Sequence, residues 1–322
     1  MNLRPRKNLH KEKGGALITY SPERFAQWLS QGNVGITTFG PDMLAAVASL
    51  SALENLAQAK GRAENKVNVQ VTSRSHIDKL LSVSGISSQV NNYARKLAKQ
   101  ILFEVSQTHS IGIILLRDPK IPLNKRLQGT LQIEGITLPT IGFMVSGSDK
   151  EFETIIENLS SLGHILGGSS ANLSRIGKKL ETRARGSGHH RLAGAVVDFG
   201  WNPKVGIYIS QKLERTGPST TTIYINSTGD KAYLVREGSL NWHEAQELLR
   251  HFGIEKFGEV MPRAQKIDPY YYPQTLADLF RDKGYRHAQA IHRFIDYILY
   301  KRNFGNDFRI PSYLRVFLPR PH

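Results

Sequence analysis

Short apolar runs suited to strands alternate along this chain with stretches whose apolar residues recur at helical spacing. That alternation restricts the fold to layers of helices packed on a sheet. Residues 34–39, 67–71, 110–116, 140–145 and 164–166 read as strands. Ser21-Pro22-Glu23-Arg24 has the form of a helix start, with Ser as N-cap and Pro at the first helical position, leading through Phe25, Trp28 and Leu29. Residues 42–59, rich in Ala and Leu at helical spacing, predict a helix that delivers Lys60 and Arg62 at or just beyond its end. Residues 87–103 and 151–162 predict two more helices.

Two polar segments stand out against this pattern. Lys60-Gly61-Arg62-Ala63-Glu64-Asn65-Lys66 places three permanent cations close together in a segment able to surround a polyphosphate, Arg as a planar fork and Lys as a compact point charge. Gly167-Gly168-Ser169-Ser170-Ala171-Asn172 begins with glycines that permit close backbone approach and continues with hydroxyl and amide groups. It predicts a turn out of the 164–166 strand that can hold phosphate or carboxylate oxygens. Taken singly, the first segment also fits a solvated helix end and the second a turn with a helix cap.

Read together, these segments resemble the YrdC-like family, the threonylcarbamoyl-adenylate synthases and their relatives, whose signature is Lys-x-Arg, a further Lys and a downstream Ser-x-Asn. Lys60, Arg62, Lys66, Ser170 and Asn172 match all five positions. Gly217-Pro218-Ser219-Thr220 looks like the family's Pro-Ser-Thr strand entry. Val235-Arg236-Glu237-Gly238-Ser239-Leu240 is similar to its Leu-Arg-Pro-Gly-Ala-Ile close.

The resemblance covers residues 15–240 and implies a twisted open mixed sheet with flanking helices. It further implies an enzyme that uses ATP, bicarbonate and an amino acid or other amine to make an N-carbamoyl-adenylate and pyrophosphate, handing the product to a tRNA-modifying partner. On that carry-over Lys60, Arg62 and Lys66 clamp phosphates and carbamate, and Ser170 and Asn172 hold the α-phosphate or acyl group. Ser219, Thr220 and Arg236 help seat the nucleotide, and Mg²⁺ bridges phosphates.

The substrate side departs from the family pattern. Val34-Gly35-Ile36-Thr37-Thr38-Phe39-Gly40 keeps only Thr37, an aromatic and Gly40 of the family's opening strand. Val67-Asn68-Val69-Gln70 replaces a stretch that carries an imidazole, so the resemblance puts the neutral amide of Gln70 near the amine substrate. Phe143-Met144 stands where the family has Val-Arg, which removes a cation. The pattern leaves two alternatives: an adenylate-forming enzyme acting on a different amine or carboxylate, or a non-catalytic RNA-binding paralogue. The intact cationic segment favours the enzyme, because clustered cations destabilise a fold that binds no anion.

With 322 residues the chain can bury a substantial core, and it divides into a basic arm (1–14), the YrdC-like catalytic domain (15–240) and a helical, aromatic extension (241–322). It has no cysteine, which excludes disulfides, thiolate metal sites and a Cys nucleophile. No run approaches the roughly 20 apolar residues of a membrane span, and a cytoplasmic location is expected.

Residues 1–13 carry five Lys/Arg against one Glu and lack the apolar core of a secretory signal. Of the +16 net charge the densest cluster is Lys178, Lys179, Arg183, Arg185 and Arg191, which reads as a basic lid, an RNA-contacting loop or a solvated loop. His189-His190 has no third ligand at zinc-like spacing. In the extension, residues 242–252 predict a helix capped by Asn241 or a neighbour, residues 276–280 another, and Ala288, Ile291, Ile295 and Ile298 an apolar stripe on a third. Tyr270 to Pro273 and the tail from Tyr313 are expected to be extended. The extension serves as packing for one edge of the catalytic domain, or as a lid, dimer element or protein dock. Arg286, Arg293, Lys301 and Arg302 among its Tyr and Phe residues also suit RNA contact.

Overall fold

Strands at the centre of this chain carry apolar side chains on both faces, which requires a cover of helices on each side of one sheet. The computed structural model describes residues 14–39, 43–61, 67–82, 85–147, 149–170, 195–196, 199–210, 220–260, 285–305 and 307–310. In chain order the strands are β1 (Leu17–Thr19), β2 (Val34–Phe39), β3 (Met43–Ser49), β4 (Val69–Ser73), β5 (Ile111–Leu116), β6 (Gly129–Ile133), β7 (Ile136–Ser146), β8 (Leu166–Ser170), β9 (Val205–Tyr208), β10 (Thr221–Ile225), β11 (Lys231–Arg236), β12 (Lys256–Glu259) and β13 (Phe308–Arg309). The helices are α1 (Pro22–Ser30), α2 (Leu53–Lys60), α3 (Ile77–Ser82), α4 (Asn92–Val105), α5 (Lys150–Ser161), α6 (Trp242–His251) and α7 (Tyr285–Arg302).

The strands form one mixed, twisted sheet in the order β12-β11-β10-β5-β7-β4-β8-β3-β2-β9-β1-β13, with β6 added to β7. The sheet contains both parallel pairs (β4 with β7, β5 with β10, β2 and β1 with β9) and antiparallel ones (β3 with β8, β4 with β8, β5 with β7). On one face Ile36, Ala46 and Ala48 pack with Leu53 and Leu56 of α2 and with Ile295 and Ile298 of α7. Farther along the same face, Ile113, Phe143 and Ile223 meet Leu97 and Ile101 of α4 and Leu249 of α6. On the other face Ala45, Val47 and Val71 pack with Phe25 and Leu29 of α1 and with Phe152 and Ile155 of α5.

Local signals hold where they are strongest. Ser21 caps α1, its hydroxyl accepting from the Arg24 N–H at 3.2 Å. Asn241 caps α6 in a full capping box with Glu244. The helix foreseen over residues 87–103 begins later, at Asn92, because Asn91 takes the cap and accepts from the Ala94 N–H at 2.7 Å.

Two expectations are corrected. Residues 42–59 are not one helix: Met43–Ser49 is β3, paired antiparallel with β2 and β8, and only Leu53–Lys60 is helical. Ala45 and Val47 face α1 and α5 while Ala46 and Ala48 face α2, so burial on both faces overrides the helix propensity of alanine. The strand expected to end at residue 166 begins there, so Gly167 and Gly168 are strand residues inside β8 rather than a turn.

Residues after 240 enter the sheet at both ends: β12 extends β11 in parallel and β13 pairs antiparallel with β1. The arm 1–13, the cluster 177–191 with His189 and His190, residues 270–273 and 276–280, and the tail from Tyr313 lie outside the described residues.

Candidate functional site

Lys60 is the last residue of α2 and is 2% exposed. A cation at a helix C-terminus sits favourably on the negative end of the dipole. The helix stops there because Gly61 adopts the left-handed conformation (φ 59°) and turns its N–H back to the carbonyls of Ala57 and Gln58. From this position the Lys60 Nζ donates to the Ser169 hydroxyl at 3.2 Å, joining two residues 109 apart in sequence.

The sheet register explains the meeting. Gly167 pairs with Ala48 and Gln70, and Ser169 pairs with Ala46. One step beyond the Val69–Gly168 pair, Asn68 comes level with Ser169. Strand alternation therefore puts Asn68, Gln70 and Ser169 on the face covered by α2. A Cβ on Gly167 would stand 2.6 Å from Leu53 Cδ2, so this glycine is what lets α2 lie close on β8. Gly168 faces the other side, against Val71 and Val47.

A brace from elsewhere in the chain fixes both flanks of the cationic segment. The buried Arg126 guanidinium grips Glu54 of α2 through Nε (2.9 Å) and Nη2 (2.8 Å). The Arg126 carbonyl accepts the Asn68 N–H at 2.6 Å, just before β4. Asn124 caps this turn, accepting from the Arg126 N–H at 2.9 Å and donating to the Leu50 carbonyl at 2.9 Å. The Arg126 hydrogen bond holds the Glu54 carboxyl below the ordinary carboxylate value.

The sequence-predicted residues fall into separate groups. Lys60 and Gln70 share the α2 face with Ser169, and both are buried. The backbone of Ser170 continues β8 and pairs with Ala45. Thr37 is buried on β2 opposite Ala45, on the face of α1 and α5, and its hydroxyl donates to the Thr38 carbonyl at 3.2 Å.

Thr220 lies at the start of β10, with β5, β7 and β4 between it and β8. Arg236 donates from Nε to the Thr220 carbonyl at 3.0 Å, which ties β11 to the β10 entry. These two residues are not brought to Lys60. Arg62, Lys66, Asn172 and Ser219 lie outside the described residues. Sequence reasoning did not pick out Asn68, Ser169, Glu54 or Arg126. The alternation of residues 67–71 could have flagged Asn68 beside Gln70, whereas no local pattern links Arg126 to Glu54.

Chemically, the Lys60 ammonium meets the Ser169 hydroxyl near the end of β8, and the Asn68 and Gln70 amides lie on the same face, a donor-rich set suited to phosphate or acyl oxygens. These four side chains include no carboxylate, so by themselves they do not fit a hard divalent cation. Among the described residues no group of three His, Cys, Asp or Glu side chains is placed to hold a metal ion. No described helix is long and apolar enough to cross a membrane.

The mixed sheet, its helical cover on both faces and the placement of β8 against α2 define the Sua5/YrdC-like α/β fold. Among solved structures the chain is similar to P. abyssi Sua5 complexed with L-threonine, with a TM-score of 0.52 and 15% identity over 80% of this chain and 66% of that one. A doubly substituted P. abyssi Sua5 matches with the same score and identity, over 79% of this chain and 62% of that one. The chain thus spans less than two thirds of the length of these Sua5 proteins. No protein-family model and no curated protein matches it.

Proposed function

We propose that this protein is an ATP-dependent synthase that forms an N-carbamoyl-adenylate, threonylcarbamoyl-AMP or a close relative, with release of pyrophosphate. The observation that supports the reading is the hydrogen bond from Lys60 to Ser169, the neighbour of Ser170, on a Sua5/YrdC-like fold. In the proposed reaction an amine adds to bicarbonate with loss of water, giving a carbamate. A carbamate oxygen bonds to the α-phosphorus while the bond to the bridging oxygen breaks and pyrophosphate leaves.

Lys60, with Arg62 and Lys66, neutralises charge gathering on the departing phosphates. Ser170 and Asn172 hold the α-phosphate or acyl oxygens, and Gln70 lies toward the amine. Ser219, Thr220 and Arg236 are assigned to seating the nucleotide, and Thr37, on the opposite face of the sheet from Gln70, is given no contact with the amine in this reading. Mg²⁺ would enter with ATP, on its phosphate oxygens. The product would pass to a tRNA-modifying partner.

The test is pyrophosphate release and mass analysis of products from ATP, Mg²⁺, bicarbonate and a panel of amino acids that includes threonine. A mass matching an aminoacyl-carbamoyl-AMP supports the reading. ATP binding without any such product from the panel, or no ATP binding at all, overturns it.

A further inference from the structure

The last described helix carries two different stripes. Its inner stripe, Phe294, Ile295 and Ile298, is buried in the cluster shared with α2. Its outer stripe runs through Arg293, Tyr297, Tyr300 and Lys301, spaced i, i+4, i+7 and i+8, and continues into Phe304 in the turn that follows the helix. Tyr297, Tyr300 and Phe304 are 46%, 59% and 55% exposed, and they account for three of the eight large exposed hydrophobic residues among the described positions. The other five are spread along the chain from Tyr93 to Leu162, so this concentration is not ordinary surface scatter.

The rings are ordered with respect to one another and to a cation. Tyr300 and Phe304 have centroids 5.1 Å apart, and Tyr297 leans on Phe308 at 5.7 Å. Lys301 Nζ lies 5.7 Å from the ring centres of both Tyr297 and Phe304. Across α7 there are four Lys/Arg (Arg286, Arg293, Lys301, Arg302) against a single carboxylate, Asp296. Half-exposed rings with cations set between them offer π-faces for bases and charges for the phosphates that join them. Protein-contacting surfaces, by contrast, are depleted in lysine. From Tyr297 to Phe304 the stripe runs about 10 Å, the length of roughly three stacked bases.

We propose that this outer face of α7 binds single-stranded RNA, as a surface separate from the Lys60 site and independent of its chemistry. The test is fluorescence anisotropy of the full-length protein with a labelled short oligouridylate and with an RNA duplex of equal length. The paired substitution Tyr300→Ala with Phe304→Ala weakens single-strand binding by about fivefold to a hundredfold, while Tyr300→Phe keeps it. Lys301→Gln lowers the salt slope by about one. Because these side chains are half exposed, thermal melting of the variants stays near that of the parent.

Parent-like RNA affinity in the paired variant would overturn the proposal, as would duplex binding as tight as single-strand binding. A change in oligomeric state with RNA affinity intact would assign the face to a protein contact and equally refute it. None of these readouts depends on adenylate synthesis, so failure here and failure of the synthase reading are distinguishable.

Discussion

Replacing Gly167 with alanine tests how the two motif segments are held together. The added Cβ would lie 2.6, 3.2 and 3.4 Å from Leu53 Cδ2, Cδ1 and Cγ. Carbon atoms prefer about 3.5–4.0 Å, so close to 1 Å must be found by moving α2 off β8 or by forcing Leu53 out of its rotamer. Leu53 is fully buried, with Ala46 and Ala48 in the same cluster, so any new rotamer must be found among packed side chains. Overpacking of this kind costs about 1–3 kcal/mol, partly offset by about 0.4–1 kcal/mol from the stiffer unfolded chain. The expected net loss is about 1–2 kcal/mol, or roughly 2–6 °C in melting temperature for a chain of this size.

A shift of about 1 Å in α2 would also carry Lys60 away from Ser169, and if the proposed synthase reaction holds, a misplacement of that size should lower turnover by about a hundredfold. Melting curves and pyrophosphate release on Gly167→Ala, Leu53→Ala and the double variant form a cycle. Leu53→Ala alone costs about 2–5 kcal/mol. The double variant should be about 1–2 kcal/mol more stable than the sum of the singles, because the clash and the cavity cancel. If Gly167→Ala melts at or above the parent and shows no coupling to Leu53, the glycine does not serve helix packing. Its value would then lie in backbone approach to a ligand.

Lys60→Met should abolish pyrophosphate release while shifting the melting temperature by only a few degrees, since a methionine of similar length suits a buried position; unchanged release would remove Lys60 from the reaction. The Glu54 carboxyl, held below its ordinary value by Arg126, contributes stability that is fully present above the unfolded carboxylate pKa and is lost as pH falls through the lower folded value. Melting temperature should therefore fall more steeply between about pH 5 and 3 in the parent than in Glu54→Gln, and identical acid limbs would refute the brace. A chain ending before Tyr285 loses Ile295 and Ile298 from the core and β13 from the edge of β1. At about 2–3 kcal/mol for each buried aliphatic side chain, it should be unfolded or insoluble; a cooperative, parent-like melt would show that the C-terminal residues are separable.

What could be read from the sequence follows the range of the forces involved. The caps of α1 and α6 depend on contacts within three residues, and Ser21-Pro22 and Asn241 announce them. Strands β2 and β5 are apolar runs with clear ends. Met43–Ser49 fails as a helix because a continuous small apolar run carries no period, and its partners β2 and β8 decide its state. The shortest strands, β1 and β13, have no pattern of their own and exist through each other and β9. At the site, Lys60 is legible as a motif residue and Gln70 as a departure from the motif. The face they share is not, because it depends on the register of β4 against β8. Arg126 was invisible for the same reason: it reaches Glu54 across 72 residues.

The register also explains why the C-terminal residues cannot be an ornament on a finished domain. A sheet that stopped at β11 and β1 would present two open edges, each a template for pairing with another chain. Residues after 240 occupy both, with β12 on β11 and the two-residue β13 on β1. The segment that reaches the second edge arrives through α7, whose Ile298 carbonyl accepts from the Tyr20 hydroxyl at 2.7 Å, and whose inner stripe shares a cluster with Leu53 and Leu56 of α2. The helix that presents Lys60 is therefore packed in the same apolar cluster as the helix that presents the aromatic stripe. Loss of α7 packing would loosen α2 as well, so a defect in adenylate formation caused by truncation carries no information about RNA. The outer-stripe substitutions leave that cluster whole and isolate the surface.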